Sequence, residues 1–451
     1  MSIVKPIRDA GRVHVLVIAY AYPPCGGAGV QRTAKTVKYL ARADWDVSVL
    51  TVDPSAHGVH DPSHDSDVDV HVVRTRFFDP IAQVTRGSDT EGVASATQSP
   101  SKQRGPLRAL AKRAWNVVDD YLLIPDRFIL WYPAAVRAAM RMCKDKPFDV
   151  IYATGDPYST YLIAMRIAHR LGVSFVIDMR DPWTLVPYRS ETRPPTRSAI
   201  ERWLEARVLR SCAACIFANR SIDTYAAAYP DLRDKFAYVP NGYDPTDFEG
   251  VEPRRFDRFT FVHNGSFLSG YRTADTLFHG VAALLRDDPA RRSRLKIVMV
   301  GKIGDERALS AQLGLEDVVS HVGYLPHRES LSYVAGADAL LLVGGARLWE
   351  ETGKVFEYLA AARPILAVVE PDGAAAELLR RSGTARIVTR DSVPETVAAL
   401  RDLMDSARVV QQPGWLTEYS RESLSKRIAS VLASAARGSE GVAVQARPAG
   451  L

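Results

Sequence analysis

Along the chain, short and almost wholly apolar runs alternate with longer stretches in which apolar residues recur every third or fourth position. Runs of the first kind predict strands buried on both faces, as in parallel sheets, and the stretches between them predict helices that cover those faces. In the first half the runs are Val13 to Ala19, broken only by His14, then Val47 to Val52, Val150 to Ala153, Phe175 to Ile177 and Ala214 to Ala218. The helical patterns between them include the stripe Val30, Ala34, Val37, Leu40 and Ala41 and the stretches Tyr158 to His169 and Ile200 to Leu209. In the second half the runs are Phe259 to His263, Leu295 to Val300, Val318 to Val322, Ala339 to Val343, Pro364 to Val368 and Ala385 to Val388, with a helix over Ala274 to Leu285. This alternation predicts an α/β architecture with two doubly wound parallel sheets and ligands at the carboxyl ends of the strands. Between the two series, VPNGYDPTDFEGVEPRRFDR is polar and turn-rich, as a domain connection should be. Near the end a stripe from Leu424 to Ala433 predicts one more helix, and the composition from Gly438 predicts a disordered tail.

Composition refines this picture at its margins. A length of 451 residues predicts two or three domains, and a 47% apolar content is ample for their cores. The formal charge of +6 comes without any long block of like charge, which argues against a dedicated nucleic-acid binder and fits weak attraction to an anionic membrane surface. Cys25, Cys143, Cys212 and Cys215 have no disulfide-framework spacing, and Cys212-x-x-Cys215 at the start of a strand reads as core packing. With no apolar h-region at MSIVKPIRDAGR, a reducing, cytoplasmic setting is expected. No apolar run reaches bilayer length, so any membrane contact is expected to be peripheral, at the inner face. A candidate for it is LRALAKRAWNVVDDYLLI, Leu107 to Ile124, where Arg108, Lys112 and Arg113 mix with Leu107, Leu110, Trp115, Val118 and Leu122 at helical spacing. The same pattern also fits a helix packed on its own domain.

The richest candidate chemistry lies in WEETGKVFEYLAAARPILAVV, Trp349 to Val369. Thr352 can cap a helix that begins at Gly353 and ends before Pro364. Val355, Phe356, Leu359 and Ala360 share its apolar face, while Lys354 and Glu357, three apart, lie on the other. The helix's free N–H groups, its dipole and Lys354 together favour an anion such as a diphosphate, and Glu357 suits sugar hydroxyls beside it. A dinucleotide fingerprint at Gly27, Gly29 and Asp53 is disfavoured, because Arg32 takes the third glycine position and the glycines come well after the strand, behind Pro23 and Pro24. In HGVHDPSHDSDVDVH, the histidines His57, His60, His64 and His71 and the D-x-D at Asp65-Ser66-Asp67 admit a metal-site reading. Pro62 and the serines favour a solvated loop, and the spacings match no ligand set.

GKVFEYLAAARPILA resembles the donor-site helix of retaining glycosyltransferases of family 4, two-domain enzymes of the GT-B fold. VPNGYD resembles the hinge between their halves. Gly155-Asp156-Pro157-Tyr158, Arg180-Asp181-Pro182-Trp183 and PDRFILWYP resemble a bacterial polysaccharide-assembly branch of the family. The resemblance implies two Rossmann-like domains facing a central cleft. Residues 1–240 would be the acceptor domain, with an insertion at about 76–133, and residues 241–415 the nucleotide-sugar donor domain. Residues 416–437 would form a helix crossing back, and residues 438–451 a disordered tail.

In that family one glutamate of an E-x7-E pair holds the nucleotide ribose, and Glu357 is its match. The other falls at Trp349, so Glu350 or Glu351, one and two places late, would orient the donor sugar. Gly26 and Gly27 match a loop that closes over the donor phosphates, where the lack of a Cβ permits close backbone approach. Gly265 and Ser266 stand where relatives have Gly-Arg gripping the diphosphate, and Arg272 would supply the missing charge. Gly323, Tyr324 and Leu325 match the loop that holds the nucleobase. Thr352, Gly353, Lys354 and Val355 complete the donor site, and Asp156 and Asp181 are candidates for acceptor contact. The implied activity moves a sugar from a UDP- or GDP-linked donor to a hydroxyl of a sugar or lipid-linked acceptor, with retention and without metal or other cofactor. A sugar-nucleotide epimerase and a non-catalytic nucleotide-sugar binding protein are the alternatives.

Overall fold

The computed structural model describes residues 12–56, 61, 68–77, 120–185, 193–267, 271–406 and 410–438. The loop from His57 to Asp67 apart from Asp61, the pattern from Leu107 up to residue 119 and the tail beyond Gly438 lie outside the described residues. The chain divides into two compact units, residues 1–240 with 424–451, and residues 241–423.

The first unit is built from β1 (His14–Ile18), α1 (Ala28–Arg42), β2 (Asp46–Val52), β3 (His71–Thr75), α2 (Tyr132–Asp145), β4 (Val150–Gly155), α3 (Ser159–Leu171), β5 (Ser174–Met179), α4 (Pro195–Ser211), β6 (Ala214–Phe217), α5 (Ser221–Ala228) and β7 (Phe236–Tyr238). Its strands form one parallel sheet in the order β3-β2-β1-β4-β5-β6-β7. Side chains alternate between its faces as a strand requires. Leu16, Ile18, Ile151 and Ala153 enter one core with α2 and α3, and Val15, Val17, Val150 and Tyr152 enter the other with α1. A buried ion pair anchors α1. Arg32 meets Asp178 of β5 through two hydrogen bonds of 2.8 and 2.7 Å, and donates to the carbonyls of Val239 and Pro240. Tyr152 adds a hydroxyl bond to the same carboxylate at 2.8 Å. The residue that spoils a dinucleotide fingerprint thus ties the first helix to the sheet.

The second unit contains β8 (Phe259–Asn264), α6 (Asp275–Asp287), β9 (Leu295–Val300), α7 (Glu306–Gln312), β10 (Val319–Gly323), α8 (His327–Gly336), β11 (Ala339–Val343), α9 (Gly353–Ala360), β12 (Ile365–Val369), α10 (Ala374–Ser382), β13 (Ala385–Thr389) and α11 (Val393–Asp405). Its parallel sheet runs β10-β9-β8-β11-β12-β13, again with a core on each face. The last helix, α12 (Arg421–Ala436), lays Leu424, Ile428, Val431 and Leu432 into the first unit's core beside Val15 and Val17.

In each sheet the chain reverses its direction of winding once, between β1 and β4 in the first and between β8 and β11 in the second. Loops leaving the strands on either side of such a reversal diverge and open a crevice at the carboxyl ends. In the second unit β8 and β11 pair only at Phe261 with Ala339 and Val262 with Leu340. Beyond that, side chains take over from the ladder. His263 Nδ1 bonds to the Leu341 carbonyl at 2.9 Å, and the Tyr358 hydroxyl joins the Asn264 amide at 2.8 Å to the same carbonyl.

Candidate functional site

The crevice between β8 and β11 gathers most of the second unit's candidate residues. The apolar face of α9 buries Val355, Phe356 and Leu359 completely or nearly so, which rotates Lys354 and Glu357 away from the core. Lys354 runs back across the loop after β8, so closely that any Cβ at Gly265 would collide with its Nζ. Burial and the neighbouring Arg272 hold the Lys354 ammonium down to a pKa of about 7, against the opposing pull of Glu357 and Glu350. Arg272 pairs with Glu350, whose other oxygen accepts from the Tyr271 hydroxyl. The Arg272 Nε is buried without a partner. Arg347 lies over the Tyr271 ring at 4.3 Å and the Trp349 ring at 5.3 Å, which pins the loop between β11 and α9. His263 is enclosed below, its pKa lowered to about 3 by burial first and then by Lys354, and its Nε2 has no partner. A cationic corner therefore sits at the amino end of α9, made by Arg272 and a Lys354 that is partly charged at neutral pH, and among the described residues Glu350 is the acid directly paired with it. An anion is what such an arrangement stabilises.

Residues 26–242 match the glycosyl transferase 4-like domain. D-inositol 3-phosphate glycosyltransferase of Frankia alni is 26% identical over 317 residues, which span 64% of this chain and 72% of that protein. Among solved structures, HepE of Anabaena in complex with UDP and glucose superposes with a TM-score of 0.58 at 16% identity, covering 94% of this chain and all of that one. Sucrose-phosphate synthase of Thermosynechococcus elongatus gives the same TM-score at 13% identity over 94% of this chain and 96% of its own. The chain is a glycosyltransferase of the GT-B fold.

In the glycosyltransferase, Glu357 is largely enclosed and stands 3.8 Å from His327 Nε2, which also lies 3.5 Å from Asp247. His327 opens α8, and Tyr271, His263 and Asn264 are equally part of this corner. None of them carries a spacing signal toward α9, because each comes from an element distant in sequence. Glu350 is engaged by Arg272 and Tyr271, which corrects its reading as a residue turned to the sugar. Glu351, only 4% exposed, is enclosed in the fold. Two further readings need correction. Thr352 occupies the N-cap position with extended backbone, but its hydroxyl caps nothing and is buried without a partner; the Val355 amide bonds to the Thr352 carbonyl instead. Val355 has that amide engaged and its side chain in the core, which leaves it nothing to offer a substrate. The helix also stops at Ala360, short of Pro364, because Ala362 turns into left-handed backbone with φ of 52°.

Ser266 links two loops by accepting from the Lys302 amide at 3.0 Å, and Lys302 itself is exposed. Gly323 bonds to the Gly301 amide at 2.9 Å, Tyr324 is 43% exposed, and Leu325 packs against the core. In the first unit, Gly27 takes φ of 114°, a conformation that favours glycine, and opens α1 without a side-chain cap. Arg180 packs its guanidinium onto Gly29 and donates to the Gly155 carbonyl at 2.7 Å and to the Asp156 carbonyl. Asp156 is partly exposed and Asp181 exposed, both beside the reversal between β1 and β4.

Gly265 is where this geometry is most easily disturbed. The atom a new Cβ meets is the free end of a flexible lysine, but Gly265 has φ of 159°, a backbone that L residues rarely adopt, so Gly265→Ala is expected to cost about 1–3 kcal/mol of stability. Turnover is expected to fall by about a hundredfold, because Lys354 must leave its place. Urea unfolding and steady-state kinetics on the same sample check the two numbers.

Proposed function

We propose that the protein transfers a hexosyl group from a nucleotide-diphosphate sugar, UDP- or GDP-linked, to a hydroxyl of a sugar or lipid-linked acceptor, with retention and without a metal or other cofactor. The observation that carries this reading is the placement of Lys354 over Gly265 at the amino end of α9, with Arg272 beside it. The departing diphosphate is the species these groups suit. As the bond from the anomeric carbon to the phosphate oxygen breaks, Lys354, the Arg272 Nε–H and the first amides of α9 stabilise the growing negative charge. The acceptor oxygen forms its new bond on the same face, and its proton passes to the leaving phosphate oxygen, so no protein base is needed. Glu357 accepts from the ribose hydroxyls. Backbone groups at Gly323 and Tyr324 hold the base, and Glu350 keeps Arg272 in place. Asp156 and Asp181 receive the acceptor. The complex of HepE with UDP and glucose supports a nucleotide-sugar donor, and a role in cell-surface polysaccharide or glycoconjugate assembly at the inner face of the membrane accords with the sequence resemblance.

The test begins with ligand-induced stabilisation. At about ten times the dissociation constant, UDP or GDP should raise the melting temperature by about 3 °C or more, and NAD should not. Glu357→Ala should weaken nucleotide binding by about tenfold or more, through loss of a charged hydrogen-bond partner. Sugar donors are then offered with EDTA present and acceptors supplied. Isomerised nucleotide sugar without acceptor would make the protein an epimerase, and binding without release of free nucleotide would make it a non-catalytic binder.

A further inference from the structure

Helix α4 carries two acids, Glu201 and Glu205, and both are turned inward. Glu201 meets Arg193 and Arg197, and Glu205 accepts from the Thr184 amide and hydroxyl and from the Tyr225 hydroxyl. What remains outward is apolar or cationic. Ile200 is 45% exposed, Trp203 59% exposed, and Arg202, Arg207 and Arg210 are all exposed. Ile200, Trp203, Arg207 and Arg210 follow one another at steps of three and four, which places them in one stripe. Arg207 lies over the Trp203 ring at 5.5 Å. The Arg197 guanidinium also donates to the carbonyls of Leu123 and Pro125, at 3.3 and 2.8 Å, holding that segment against the helix. The segment brings Leu122, 73% exposed, and Tyr121, 53% exposed.

Single exposed apolar residues are ordinary; a Trp and an Ile in one stripe with arginines, on a helix whose own acids are all buried and to which Arg197 ties the segment carrying exposed Tyr121 and Leu122, are not. Amphipathic rings suit the boundary between water and lipid, and arginines extend an apolar stem while the charge stays at headgroup level. A second copy of this chain would set arginine against arginine, whereas an anionic surface complements the stripe. We propose that this face of α4, with Tyr121 and Leu122, seats the protein peripherally on an anionic lipid bilayer. Among the described residues no helix is long and apolar enough to cross one. The proposal does not depend on which nucleotide sugar is bound.

The test is sedimentation of the full chain with vesicles of phosphatidylcholine alone or with about 30 mol % phosphatidylglycerol, without donor present. Binding is expected to the anionic vesicles only and to weaken with salt. Replacing Arg202, Arg207 and Arg210 by Gln should weaken it about fivefold each, about a hundredfold together. Trp203→Ser with Ile200→Ser should weaken it at least tenfold, while UDP-induced stabilisation stays as in the parent and shows that the protein is folded. Equal binding to both vesicle types, or arginine variants that bind like the parent, would overturn the proposal. So would light scattering that shows a dimer lost on changing Trp203, since the face would then join two copies. Failure of UDP to stabilise a vesicle-binding protein would count against the donor reading alone.

Discussion

Lys354→Met is expected to lower turnover by about a hundred- to a thousandfold while leaving the protein folded, and to remove the pH dependence of nucleotide binding. With an ammonium pKa of about 7, Lys354 is only partly charged in the empty site at neutral pH. A diphosphate favours the charged form, so binding takes up a proton and tightens as pH falls through 7. Calorimetry in two buffers of different ionisation enthalpy should show this uptake in the parent protein and its absence in the Met variant. The stability of the empty protein moves the other way. The lysine's folded pKa lies below its ordinary value of 10.5, so the unfolded chain binds more protons between about 7 and 10.5. The cost of burying the charge is fully present below 7 and is relieved as pH rises toward 10.5. Met at this position should therefore stabilise the empty protein at pH 6 to 7, a gain bought with activity. Unchanged turnover would remove Lys354 from the chemistry.

The second large effect is structural. Asp178→Leu is expected to cost about 3–5 kcal/mol, because it leaves the Arg32 guanidinium buried without its carboxylate. For a unit of this size that corresponds to a fall of roughly 6–20 °C in melting temperature. Arg32→Met combined with Asp178→Leu should lose clearly less than the sum of the two single changes, since no unpaired charge then remains inside. Thermal unfolding of the three variants measures the coupling, and additive losses would show that the pair does not hold α1 to the sheet.

The strands that could be read in advance are the ones buried on both faces. Val47 to Val52 and Ala339 to Val343 are buried along their whole length, so the second is apolar at every position and the first is interrupted only by the small polar Ser48 and Thr51. Two strands escaped. β3 is an edge strand with His71 and Arg74 exposed, and β7 is only three residues long, too short to show a pattern. The basic amphipathic pattern at Leu107 to Ile124 and the histidine-rich loop lie largely outside the described residues.

The donor corner divides in the same way. Lys354 and Glu357 were legible because three residues of helix set them on one side and the apolar residues between them on the other. The partnership of Arg272 with Glu350 spans 78 positions, and nothing local distinguishes a glutamate turned to an arginine from one turned to a sugar. Thr352 shows the limit from another side: a residue type suited to capping stands in the capping position, yet its hydroxyl finds no amide.

By itself, the order of apolar and polar residues determined two parallel sheets, the helix that starts at Gly353 and the chemical character of its outer face, because burial and helical period act over neighbouring positions. Which charges neutralise one another, how far Lys354 is stripped of its proton and which arginines stay outward were decided only by the tertiary structure, because those depend on distances between elements far apart along the chain.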